Sequence, residues 1–270
     1  MYFKILDISL NHHGFQYKKG LNIDVLPFNP RGDCEPGGLY FTDKEHIFDY
    51  INHGPLIADV ELPDNAQIYQ NGTKWKADRI ILSNIRHIED FVSSLSHEEL
   101  FHFIEKYEFL FRYVKEQTPE LCLEAVKRNA SALYFVKEQT PEICLEAVKR
   151  DSSAFRYVKE QTLTLCLEAV KRDGHNIRYV KEQTPEICLE AVKQNSYFLR
   201  FVKEQTPELC LEAVKRNGFT LQYVEKQTPE ICLEAVKQCC HAFSYVKEFT
   251  PELCLEAVKQ NIHLKIVQKH

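Results

Sequence analysis

Cysteine and histidine are the residues of this 270-residue chain most able to do chemistry, and there are ten of the first and eleven of the second. Seven cysteines stand at one spacing, every twenty-second residue, from Cys122 through Cys144, Cys166, Cys188, Cys210 and Cys232 to Cys254. Such a ladder invites disulfides or a string of metal sites, and geometry opposes both. A bridge needs Cα atoms roughly 4.4–6.8 Å apart, whereas equivalent residues on stacked helices stand about 9–10 Å apart. Each layer also offers one sulfur where structural zinc takes four ligands. The ladder is therefore expected to be small, buried, apolar packing. Cys239-Cys240-His241 is the only tight cluster and lacks a fourth ligand nearby, and Cys34 is isolated, so no metal is expected. Free thiols throughout point to a reducing compartment, cytosol or nucleus.

The spacing belongs to a whole block. Seven copies of twenty-two residues open at Thr118, Thr140, Thr162, Thr184, Thr206, Thr228 and Thr250, without insertion or deletion. Fixed-period self-similarity means stacked units that bury their apolar faces only against neighbours. In Thr140-Pro-Glu-Ile-Cys-Leu-Glu-Ala-Val-Lys-Arg150, Thr140 can cap a helix whose first position suits Pro141. Glu142 at one end and Lys149 and Arg150 at the other match the helix dipole. Ile143, Cys144, Ala147 and Val148 share an arc of roughly 140°. That breadth suits a helix between neighbours. After a turn, Ala154, Phe155, Tyr157 and Val158 share a second face at helical spacing. Each copy is expected to be two helices of about eleven and eight residues, an α-solenoid. The copy at Leu163-Thr164 lacks the Pro-Glu of the others.

One period before Thr118 stands Ser96-His97-Glu98-Glu99, a capping box. Residues 85–117 are expected to form a degenerate capping repeat, and Asn261–His270 a polar end-cap. Seven of nine glycines precede residue 73, so residues 1–84 form a different module. Tyr2–Ile8, Asn22–Leu26, Leu56–Leu62 and Ala77–Leu82 are expected as strands. Thr42-Asp43-Lys44-Glu45 is expected to open a helix closed by Gly54 and Pro55. The fold class is α+β: a small mixed module, then the capping repeat, then the solenoid of residues 118–270.

With net charge −5 and charges nearly cancelling within a copy, no basic stripe suits nucleic acid. No run approaches the ~20 apolar residues of a membrane span, and Lys4 and Asp7 interrupt any leader-like stretch. Protein–protein binding is the expected function class. The positions that differ most between copies follow the first helix. They include Gly174-His175-Asn176, Ser196-Tyr197-Phe198, Gly218-Phe219-Thr220 and Cys240-His241-Ala242. In a regular stack these turns form one edge. His175, Tyr197, Phe198, Phe219 and His241 are its candidate binding residues.

His13-Gly14 and the run Gly38-Leu39-Tyr40-Phe41-Thr42-Asp43, followed by Asp59-Val60-Glu61-Leu62, resemble the order of elements in ADP-ribosyltransferases. That resemblance implies an alternative, a transferase using NAD, in which His13 and Tyr40 would grip nicotinamide and a later carboxylate would polarise the ribose. Glu61 and Asp78 are the candidates for that carboxylate, and neither stands clearly in the family's place. On this alternative the repeats would recruit substrate.

Tyr179-Val-Lys-Glu-Gln-Thr-Pro-Glu-Ile-Cys-Leu-Glu-Ala-Val-Lys193 and its sister copies stand behind Gly37-Gly-Leu-Tyr-Phe-Thr-Asp43 and Lys74-Trp-Lys-Ala-Asp-Arg-Ile-Ile-Leu82. Together they resemble the expanded repeat proteins of mimivirus-type giant viruses, whose function is unknown. The resemblance implies action in host cytoplasm or the viral factory, as an adaptor to host or viral proteins.

Overall fold

The computed structural model describes the backbone of residues 1–12, 14–31 and 35–267, with side chains through Gln260. It divides into two compact units, Met1–Gln117 and Thr118–His270.

In the first unit, seven strands form one antiparallel sheet in the order β4-β9-β6-β1-β5-β8-β7. They are Tyr2–Leu6 (β1), Gly20–Ile23 (β4), Leu39–Asp43 (β5), Leu56–Glu61 (β6), Ile68–Asn71 (β7), Lys74–Ala77 (β8) and Arg79–His87 (β9). Asn11–His12 (β2) and Phe15–Gln16 (β3) pair separately. Apolar residues at alternate positions build a core from Leu6, Tyr17, Leu39, Phe41, Ala58, Val60, Ala77, Ile80 and Leu82. A further aromatic cluster joins Phe3 to Phe91 and Phe48 to Phe103, at ring separations of 5.2 and 5.0 Å.

Three expectations change here, the first being the strand at Ala77–Leu82, which is parted at Asp78 between the end of β8 and the start of β9. The strand expected at Asn22–Leu26 lies earlier and ends at Ile23. Thr42 opens no helix: its hydroxyl donates to Thr73 O (2.7 Å), β5 continues through Asp43, and a 3-10 helix follows at Ile47–His53. That turn does close at Gly54, where a Cβ would lie 2.2 Å from Leu6 O. The β7–β8 hairpin turns at Gly72-Thr73, with Gly72 at φ +59°.

Helices Ile88–Ser93 (α1) and His97–Lys106 (α2) and a 3-10 turn at Glu108–Tyr113 complete this unit. Ser96 and Glu99 form the expected capping box. Glu99 pairs with Lys44, Lys106 with Asp49 (3.3 Å), and His102 with Glu45 (3.0 Å). This repeat-like segment is thus bonded to the sheet module.

The second unit repeats a ten-residue α-helix and a six-residue 3-10 helix. The α-helices are Pro119–Arg128 (α3), Pro141–Arg150 (α4), Leu163–Arg172 (α5), Pro185–Gln194 (α6), Pro207–Arg216 (α7) and Pro229–Gln238 (α8). Pro251–Val267 (α9) is longer, and the expected polar end-cap at Asn261–His270 lies outside the described side chains. Thr caps α3–α8, each hydroxyl accepting from the N–H three residues on. Helix α5 keeps both cap and length without its proline, although Leu163 is exposed. Ile143, Cys144, Ala147 and Val148 are all buried, as are Ala154, Phe155 and Val158.

In the seventh copy α9 runs through Val267 with no second helix among the described residues, and in the first six the second helix is 3-10 where eight α-helical residues were expected. An Asx residue caps it, as Asn129 accepts from Ser131 N (3.0 Å), and i→i+3 bonds follow, as Ala132 N donates to Asn129 O (3.0 Å). A glutamine ends the run. Gln139 Nε2 donates to Leu133 O (3.0 Å) in its own copy and to Tyr157 O (3.1 Å) in the next. Its Oε1 accepts from Lys159 N at 3.0 Å. Gln183, Gln205 and Gln227 repeat this triple bond. Six residues between two such fixed ends are too few for a stable α-helix, and the tighter helix suits short pieces.

Candidate functional site

Thirteen residues beyond each opening Thr lies one column: Ser131, Ser153, His175, Tyr197, Phe219 and His241. Each is the second residue of its 3-10 helix, and the first five donate their backbone N–H to the capping Asx at 2.9–3.0 Å. The backbone is held identically while the side chain changes. His175 and His241 are exposed, and Tyr197 and Phe219 half-buried. The rings of Phe219 and His241 stack at 6.4 Å across adjacent copies, and Tyr197 meets Tyr223 edge-on at 5.8 Å. The column is therefore continuous over its last copies.

Phe198 is a correction. It stands in the next column, with Ala132, Ala154, Asn176, Thr220 and Ala242, all buried. Its ring packs 4.4 Å from His175 and fills the space beside Gly174, where a Cβ would lie 2.6 Å from Phe198 Cε2. Phe198 supports the edge from beneath.

Sequence reasoning also missed a basic recess beside the first copies. Arg128, Lys149, Arg150 and Arg172 surround Ala130 and Ser152 in an open hollow of about 610 Å³. Arg172 is steadied by Glu168 (2.6 Å) and by Lys149 O (3.2 Å). The signal was the residue closing each first helix: Arg128, Arg150 and Arg172 in unbroken succession, then Gln194, Arg216 and Gln238 in alternation. Gln194 instead clasps the preceding copy, accepting from Gly174 N (2.7 Å) and donating to Val170 O (2.7 Å).

The ladder thiols face inward. Cys122, Cys144, Cys166, Cys188, Cys210 and Cys232 are buried and free, and Cys254 is exposed. Burial pushes all six buried thiols above their ordinary pKa, Cys144 and Cys210 to about 11. The thiolate is the reactive species. At pH 8, peptide mapping after iodoacetamide should therefore show Cys239, Cys240 and Cys254 modified at least roughly tenfold faster than these six. Equal rates would contradict the packing role. No group of three or more His, Cys, Asp or Glu able to hold a metal occurs among the described residues.

The first unit holds a cavity of about 440 Å³ lined in part by Tyr40, Lys4, Tyr17, Asp24 and Glu35. Of the residues implied by the transferase resemblance, Tyr40 lines it and His13 lies outside the described residues. Glu61 ends β6, exposed, and Asp78 is bound to Arg79 (2.9 Å) and Gln67 N (2.8 Å). Neither carboxylate lines the cavity, so the structure does not bring them to Tyr40.

A family model described as a domain of unknown function (DUF4116) matches residues 118–162, 164–205 and 206–250. The chain is 40% identical over 97 residues to a "Putative ankyrin repeat protein" of Acanthamoeba polyphaga mimivirus, covering 33% of this chain and 48% of that protein. A second protein of that name and virus is 34% identical over 88 residues, 29% of each chain. An "Uncharacterized protein" of the same virus is 38% identical over 96 residues, covering 33% of this chain and 70% of that protein. The chain thus spans less than half the length of these two ankyrin-named relatives. Ankyrin units are about 33 residues long and open on a β-turn; the units here are shorter and pair an α-helix with a 3-10 helix. No solved structure matches.

Proposed function

We propose, for a chain that belongs to the mimivirus-type repeat proteins of unknown function, that it is a non-enzymatic scaffold whose repeat edge binds another protein. The observation that carries this reading is the column from Ser131 to Phe219, extended by His241: variable side chains on a backbone fixed, in its first five copies, by the same Asx cap. Repeat arrays commonly present such surfaces to partners. The ankyrin naming of two relatives agrees in class.

Edge chemistry selects the partner. Four cations beside copies one to three favour acidic groups, and the rings of Tyr197, Phe219 and His241 favour apolar or aromatic ones. Aromatic and Arg side chains are the usual anchors of interfaces. The partner is an extended protein segment, acidic at one end and apolar at the other, met in host cytoplasm or the viral factory. No helix among the described residues is long and apolar enough to cross a membrane. The reading requires neither cofactor nor nucleic acid.

Tyr197→Ala with Phe219→Ala should lower partner recovery from host-cell lysate by about tenfold or more. Quantitative mass spectrometry would read the loss, with the melting temperature unchanged. Undiminished recovery would reject the edge. Arg150→Glu should weaken capture chiefly at low salt, because its contribution is exposed and screened.

A further inference from the structure

Strands β1 and β5 pair only at Tyr2↔Asp43 and Phe3↔Thr42, while β1 stays paired with β6 through Leu6. Beyond Phe3 the two strands part. Into this gap projects Lys4, 4% exposed, its Nζ 2.7 Å from Tyr40 O and 4.5 Å from the centre of the Tyr17 ring. An ammonium carries three donors, and the carbonyl takes one. No carboxylate lies within ion-pairing distance of Lys4 among the described residues. A buried cation without a counter-ion is costly. The cost shows in its titration: burial lowers the Lys4 pKa to about 7. The adjoining walls are aromatic, with Phe15 and Tyr17 at 4.6 Å and His12 beside His53 at 4.8 Å.

We propose that the crevice between β1 and β5 binds a small aromatic carboxylate, its oxygens on Lys4 Nζ and its ring against Phe15 and Tyr17. The cavity of about 440 Å³ has the size of a small-molecule site. The anion supplies the charge that the fold withholds, and the rings supply apolar contact. Lys76 is equally buried and likewise meets one carbonyl and one ring, Glu35 O at 3.0 Å and Tyr40 at 5.1 Å, but it does not line the cavity. Lys4 is thus the buried cation open to a ligand.

Benzoate and its neutral isostere benzamide test this by calorimetry on the full chain. Benzoate should bind at least roughly tenfold more tightly than benzamide at pH 6.5. Its affinity should fall about tenfold per pH unit above 7, as Lys4 loses its proton, and level off below. The other titratable groups lining the site are Tyr17, Asp24, Glu35, His12, His53 and Lys74. Lys4→Met separates them: it keeps length and apolar contact, and should abolish both the preference for benzoate and the pH dependence above 7. Should that variant not fold, the pH profile of the unaltered protein decides. Benzamide binding as tightly as benzoate, benzoate affinity flat from pH 6.5 to 9, or full benzoate affinity in folded Lys4→Met would each overturn the proposal.

Discussion

Gln183→Ala should destabilise the array by about 3 kcal/mol, at roughly 1 kcal/mol for each of three hydrogen bonds lost. Its amide donates to Ile177 O (3.0 Å) and Phe201 O (2.9 Å) and accepts from Lys203 N (2.8 Å). The two carbonyls belong to successive copies, so the change loosens a junction as well as a copy. Neighbouring Glu182 is exposed, and Glu182→Ala should change stability by less than about 0.5 kcal/mol. The sixth copy supplies a natural contrast, because Phe249 stands in the glutamine's place and is 60% exposed. Phe249→Gln should be near neutral. Chemical denaturation followed by circular dichroism would compare the three, and a Gln183→Ala loss no larger than that of Glu182→Ala would show that the glutamines are incidental.

Alkali should destabilise the repeats through their buried thiols. Below pH 9 the ladder thiols are protonated in folded and unfolded chains alike, and contribute no pH dependence. Between about 9 and 11 the unfolded chain releases protons that the fold retains on Cys144 and Cys210, so stability falls as pH rises. Two units at about 1.4 kcal/mol each make roughly 3 kcal/mol per thiol at the top of that window. The other four buried thiols act with the same sign. Lys4, whose pKa is lowered, acts oppositely in the first unit: raising pH from about 7 toward the ordinary lysine value stabilises it. Guanidinium midpoints at pH 8 and 10.5 would register the fall, and Cys144→Ala with Cys210→Ala should flatten it. Equal midpoints in the unaltered protein would exclude buried neutral thiols.

Much of the array was legible because its signals are local. Thr140, Pro141 and the arc from Ile143 to Val148 state a helix start and a buried face within nine residues. The 3-10 turn was harder, since Ala154, Phe155 and Val158 fit either helix. What selects the tighter form is the bond from Gln139 into the following copy, which no single copy displays. Phe198 was misplaced for a related reason: its column contains Ala132 and Thr220 as well as Asn176, and variation there reflects packing beneath the edge. In the sheet module, Gly72-Thr73 forms a two-residue hairpin turn with Gly at its first position, a signal passed over beside the helix-like box at Thr42. Lys4 and Lys76 could not have been found, because nothing in a lysine's neighbours along the chain announces that it is buried.

The glutamines that close the copies, Gln139, Gln183, Gln205 and Gln227, all reach the same way, each holding a carbonyl of the copy that follows. A pull on the carboxyl end therefore meets the same latch again and again, and releases about 22 residues with every break. Stretched chain spans at most roughly 3.5 Å per residue, so each release pays out about 75 Å. An array of this kind should yield under load in even steps.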